Sequence, residues 1–278
     1  MDIRIHIPVT SQLTAYVTGI WELKGGQNIK ETILPQGVVE IIFNLGDPMY
    51  GVLPFQTESV CPPLSFLQGV HTKIVNVYYP GKQHLFGIRL QPALVKSLFG
   101  IFPNELKNTI IDLQLLKPSF SNLWHQLKDA ASFEERVKLI EDNFPSLSED
   151  SCIRTQKLCK MFLADGINEF NSIENLSQQV YYSKRHLNRK TQSIFGISAE
   201  ELITYKKFLH AVKQLHQDEL SLTSIAHGSG FFDQAHFCRT FKSYSGITAK
   251  QYRLNHSPLA FHLFDNVSNS SRESNMSL

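Results

Sequence analysis

Arginine recurs at matching places in two copies of one helix pattern, fifty residues apart in the chain. Its planar, five-donor fork suits the edge of a guanine or a phosphate. The first copy runs from Ser183 to Phe195 and stops at Gly196; the second runs from Asp233 to Ser245 and stops at Gly246. On a helical wheel Arg185, Asn188, Arg189 and Gln192 fall at i, i+3, i+4 and i+7 and share one face. The same shift gives Ala235, Cys238, Arg239 and Lys242 on the matching face of the second copy. Leu187, Thr191 and Ile194, like Phe237, Phe241 and Tyr244, make a separate face to be buried. Asn and Gln suit adenine. The chemistry open to such a set is hydrogen bonding to base edges and pairing with phosphate.

Each copy needs elements that hold it. Ser183 and Asp233 are N-cap types, and Gly196 and Gly246 suit the left-handed turn that ends a helix. The tails also echo, Gly196-Ile-Ser-Ala199 against Gly246-Ile-Thr-Ala249. Upstream of the first copy, Ile173, Leu176 and Val180 share one face. Upstream of the second, Leu222 to Ala226 leads into Gly228-Ser-Gly230-Phe231 through a turn one residue longer, which the two glycines are expected to serve. Ala226 is small enough for helix-on-helix contact. Two short helices joined by a tight turn, the second with a basic face, make a helix-turn-helix. One such face alone reads as an ordinary solvated surface. Two with matched caps and stops argue for a shared task.

The runs Tyr182-Ser-Lys-Arg-His-Leu-Asn-Arg189 and Ala226-x3-Gly230-Phe231-x-Asp233-Gln234-x2-Phe237-x-Arg239-x-Phe241-Lys242-x3-Gly246-Ile-Thr-x3-Tyr252-Arg253 resemble the C-terminal domain of AraC/XylS-type bacterial transcription regulators. That resemblance implies seven helices in two units joined by a long helix over about 199–216, with Lys207 and Ala211 at its usual Arg and Ala positions. It implies two recognition helices in successive major grooves. Lys184, Arg185, Asn188 and Arg189 would be the first reading set, with Gln192 on the same face. Gln234, Ala235, His236 and Arg239 would be the second, with Lys242 on a phosphate. Ala199 and Ala249 stand where proline is common, which is expected to loosen the helices they begin. Thr191 replaces a Phe and Lys190 an apolar residue, so the first unit is expected to pack less firmly.

The whole chain carries a net charge of +2. Cys152 to His256 holds 14 Lys+Arg against 8 Asp+Glu, while residues 1–151 hold 12 against 15. A basic module on a mildly acidic partner fits nucleic-acid binding. No run approaches the roughly 18 apolar residues of a membrane helix, and the start lacks the form of a signal peptide. Cys61, Cys152, Cys159 and Cys238 are scattered, as reduced thiols in a cytoplasmic protein would be.

Up to about Leu116 the chain reads as short strands, including Val38 to Leu45, Lys73 to Tyr79 and Leu85 to Leu90, bounded by Gly46-Asp-Pro48 and Pro80-Gly81. Helical pieces follow at Pro92–Phe99, Pro103–Lys107 and Ser121–Asp142. The expected fold class is α+β: an N-terminal β-barrel or cupin-like domain (1–118), a helical hairpin and linker (119–150), and an all-α double helix-turn-helix domain (151–256). A Ser/Asn-rich tail (257–278) is expected to be disordered, although Leu259–Phe264 could fold back. By resemblance the barrel binds a small-molecule effector or serves dimerisation, with Ser121–Asp142 as candidate homodimer interface. Gly87-Ile-Arg-Leu-Gln-Pro92 followed by Phe99-Gly-Ile-Phe-Pro103 also resembles a pattern of such domains.

No metal or cofactor is expected, because His6, His71, His84 and His125 are not paired as ligands usually are. His84 and Arg89 could line a pocket, though a satisfied structural role is the default for both. Tyr78, Tyr79, Phe86 and Trp21 read as barrel core. The main reading is a non-enzymatic regulator of double-stranded DNA, meeting RNA polymerase if it activates. The rivals are a cupin-like or alkyl-transfer enzyme, which the solitary Cys61 disfavours, and an interaction protein that has lost DNA.

Overall fold

β-Branched and aromatic runs broken by turn residues become short antiparallel strands. The computed structural model describes residues 2–9, 12–15, 17–144, 153–217 and 220–266. The strands are β1 (Asp2–His6), β2 (Val17–Lys24), β3 (Ile29–Ile33), β4 (Val39–Asn44), β5 (Tyr50–Val52), β6 (Ser65–Gln68), β7 (Val75–Tyr79), β8 (His84–Leu90), β9 (Ile110–Asp112) and, far along the chain, β10 (His262–Asn266). One sheet runs β1-β2-β8-β4-β6-β9 and the other β10-β3-β7-β5.

Successive side chains alternate between faces. From β8, Phe86 packs outward against Phe133, ring centroids 6.2 Å apart, while Leu85 and Arg89 line the cleft between the sheets. His84 is on the outward face, bonded to Glu22. Of the two residues expected at a pocket, only Arg89 is there. Trp21 and the buried Tyr79 also line the cleft, whereas Phe86 is buried core on the other face.

The short helices α1 (Val95–Phe99) and α2 (Leu113–Leu116) lead into α3 (Ser119–Asp129) and α4 (Phe133–Asn143). Their apolar stripes, Phe120, Leu123, Leu127, Phe133, Val137 and Ile140, are buried in the chain's own core. That apolar surface is consumed within the chain, because the outer face of the first sheet needs cover. Arg136 of α4 reaches Glu22 of β2 at 3.0 Å, both almost wholly buried, and donates to the Leu127 carbonyl at 2.8 Å. Burial alone would raise the Glu22 carboxyl, but the hydrogen bond from His84 and the charges of Arg136 and Lys24 hold it below its usual value.

Seven helices follow among the described residues: α5 (Ile153–Leu163), α6 (Ile173–Gln179), α7 (Lys184–Phe195), α8 (Ala199–His216), α9 (Leu222–Gly228), α10 (Gln234–Ser245) and α11 (Ala249–Asn255). The long α8 is the shared core of both units: Phe162 lies near Tyr205, and Phe208 against Phe241 and Tyr244. Ala199 and Ala249 do not loosen their helices. Capping boxes at Ser198–Glu201 and Thr248–Gln251 close both starts, and the Ala199 N–H, which proline would lack, donates to Asn188 Oδ1 at 3.0 Å. Thr191 is fully buried, its hydroxyl donating to the Asn188 carbonyl at 3.0 Å.

The tail is corrected as well. Residues 257–266 are ordered, and β10 pairs antiparallel with β3 from His262↔Ile33 to Asn266↔Ile29. The Leu259–Phe264 stretch does fold back, but onto the N-terminal sheet, where β3 offers an unpaired edge. The Ser/Asn-rich remainder and the linker at Pro145–Glu149 lie outside the described residues.

Candidate nucleic-acid interface

The two recognition helices are built alike. The Ser183 and Asp233 side chains accept from His186 N–H and His236 N–H, and Gly196 and Gly246 end the helices at φ 71° and 73°. Leu187, Thr191 and Ile194 are buried, as are Phe237 and Phe241. The opposite faces are open to solvent: Lys184, Arg185, Asn188, Arg189 and Gln192 on α7, and Gln234, Ala235, Arg239 and Lys242 on α10.

Several of these residues already have partners. Lys184 pairs with Glu174. Asn188 caps α8 through Ala199. Arg189 lies 3.4 Å from His186 Nδ1. The Gln234 amide oxygen accepts from the Thr223 hydroxyl at 2.7 Å. His236 is half-buried, its ring edge-on to Phe231 at 5.4 Å, so it is partly withdrawn from the reading face. Arg185, Arg189 and Ser183 line one shallow groove at the start of α7.

Two exposed aromatic residues were not singled out by sequence: Tyr181, 72% exposed, and Phe232, 87% exposed. Each sits in the turn just before a recognition helix, where a ring can reach a thymine methyl. Their signal was an aromatic at a position that no buried periodicity requires. Tyr181 and Gly230 take the left-handed backbone at φ 55° and 74°, whereas Gly228 is the helical last residue of α9 and not a turn glycine.

The C-terminal ends of both helices meet the N-terminal domain. Lys73 Nζ donates to the Ser243 carbonyl of α10 at 2.6 Å. At the end of α7, Gly196 lies against Lys107 and Asn104, and Lys107 is 3.8 Å from Glu201 of α8. Between them the Tyr205 hydroxyl donates to the His71 carbonyl at 2.6 Å, and Gly37 leaves no room for a Cβ under Leu209. One domain therefore holds the rear of both helices and leaves their front halves free.

The buried Cys159 thiol is pushed up to about 12, too high for a thiolate at neutral pH. Cys61 is exposed and Cys238 partly buried. Among the described residues, no three His, Cys, Asp or Glu side chains gather as a metal site would require. No described helix is long and apolar enough to cross a membrane.

Residues 176–255 match the family model described as a helix-turn-helix domain, and residues 5–112 match a domain of unknown function. The probable transcription factor PqrA of Proteus vulgaris is 32% identical over 97 residues, which are 35% of this chain and 80% of that protein. The HTH-type transcriptional activator AarP of Providencia stuartii is 34% identical over 83 residues, 30% of this chain and 62% of that protein. An uncharacterized HTH-type transcriptional regulator of Staphylococcus aureus is 34% identical over 82 residues, a stretch covering only 11% of its length. Among solved structures, ToxT of Vibrio cholerae aligns over 91% of this chain and 98% of its own, at 10% identity and a TM-score of 0.48.

Proposed function

Because the chain belongs to the AraC-type family of helix-turn-helix transcriptional regulators, we propose that it binds duplex DNA sequence-specifically and regulates transcription, with α7 and α10 in successive major grooves. The observation that carries this is the pair of exposed faces, matched in cap, stop and arginine position, whose rear ends are fixed by one domain. Arg185, Arg189 and Arg239 read base edges, with Gln192, Gln234 and Ala235 beside them. Lys184 and Lys242 hold phosphates. For Lys184 this means leaving Glu174, an exposed pair of little strength. The mechanism is binding without catalysis, in the cytoplasm.

In this reading the N-terminal domain takes a small-molecule effector, and the protein works as a homodimer, contacting RNA polymerase where it activates. Selection of bound duplexes from a random pool tests the DNA reading. Enrichment of two half-sites about one turn apart supports it. No enriched sequence, or one half-site alone, overturns it. Affinity that falls steeply with salt counts against a purely protein-binding role.

A further inference from the structure

The cleft between the two sheets measures about 980 Å³ with its open mouth and is walled mainly by aliphatic and aromatic side chains such as Ile33, Leu53, Phe66 and Val75. Two carboxylates interrupt that wall, Glu31 and Glu40, 3% and 5% exposed. Burying a carboxylate is costly unless it is paired. Glu40 has partners from its own sheet: Arg89 Nε donates at 2.8 Å and Trp21 Nε1 at 3.0 Å.

Glu31 is different. The buried Tyr79 hydroxyl donates to it at 2.9 Å. The side chain that faces it is His262, whose Nδ1 lies 2.5 Å away and whose Nε2 lies 2.9 Å from the Gln36 amide nitrogen, so that Nε2 accepts from Gln36 and Nδ1–H donates to Glu31. His262 opens β10, which lies beyond the last helix of the DNA-binding domain and rests on an edge strand. The partner of Glu31 at this oxygen is a hydrogen-bonding imidazole carried by a removable element. Beside Tyr79, Gln83 is 3% exposed and lines the cleft; its amide nitrogen faces the Tyr79 hydroxyl, while its amide oxygen makes no hydrogen bond. A buried amide oxygen left open in this way points to a ligand's polar group.

Resting on the reading of this domain as the effector domain, we propose that the cleft takes an apolar ligand bearing one protonated nitrogen, of the alkyl- or arylammonium class, and that this nitrogen displaces His262 from Glu31 and releases β10. The exchange keeps Glu31 paired throughout. An anionic ligand would face two carboxylates and an arginine already engaged by one of them. The Gln83 amide oxygen supplies a second acceptor for an ammonium N–H.

The probes are n-octylamine, n-octanol and sodium octanoate, which share a chain length and differ in head-group charge. They are titrated calorimetrically into the full chain, with hydrogen exchange followed at residues 262–266. Octylamine is expected to bind at least about tenfold more tightly than octanoate and to speed exchange in β10. Glu31→Gln should reduce octylamine to the level of octanol, and His262→Ala should speed β10 exchange without ligand. Octanoate binding as tightly as the amine, amine binding with β10 still protected, or no binding by any probe would each overturn the proposal. None of these measurements involves DNA, so their failure leaves the regulator reading to its own test.

Discussion

Asn188 sits on the reading face of α7, yet its side-chain oxygen is committed to the N–H that starts α8. That bond fixes the orientation of the side chain, so its structural task competes with base reading. Asn188→Ala should lower stability by about 1 kcal/mol and change base preference little, as checked by denaturant unfolding and by binding to variant duplexes. Arg239 and Lys242 differ from Asn188 and from each other. Arg239→Ala should erase discrimination of about 1–3 kcal/mol at one base pair. Lys242→Ala should weaken all duplexes alike and reduce the salt slope by about one. Arginine types and spacing were readable in the sequence because they repeat locally. The cap from Asn188 to Ala199 was not, since nothing in either segment announces a bond across that turn.

At the level of elements, the turns between helices decide how each recognition helix leaves its partner. Gly230 is held at φ 74° with Lys207 Cε 3.4 Å from where a Cβ would lie, whereas at Gly228 a Cβ would meet nothing. Gly230→Ala should therefore cost more than about 1 kcal/mol, while Gly228→Ala should be neutral or stabilise by about 0.4–1 kcal/mol; thermal unfolding of the two variants checks this. The caps and glycine stops of α7 and α10 were legible because they depend on neighbouring residues alone. β10 was hidden because the Ser/Asn-rich composition of the tail outweighed the short apolar run Leu259–Phe264, and its partner edge lies more than two hundred residues earlier. The α3 and α4 stripes were seen, but periodicity says only that a face is buried, not against what. Glu40, inside a strand buried at every position, was the visible sign of a polar cluster in the cleft. Its pairing with Arg89 and Trp21 is long-range and had no local signal.

Across the whole molecule, the seam between domains sets where the two reading faces point. His71 lies in that seam, 6% exposed, with neither ring nitrogen hydrogen-bonded. Burial pushes its imidazole down to about 4 from 6.5. The folded state thus takes up this proton at lower pH than the unfolded state. The stability it permits is complete above about pH 6.5 and is lost progressively as pH falls toward 4. The slope is at most about 1.4 kcal/mol per unit, and His71→Leu should remove it in denaturation series between pH 7.5 and 4.5. Rigidity of the seam is also what gives the two helices a fixed spacing, and duplex phasing tests that claim most directly. Starting from the selected site, about five base pairs, half a turn, are inserted between the half-sites. Held as this fold holds them, α7 and α10 cannot both reach their grooves, and affinity should drop to that of one half-site. Undiminished affinity for the rephased duplex would contradict the account.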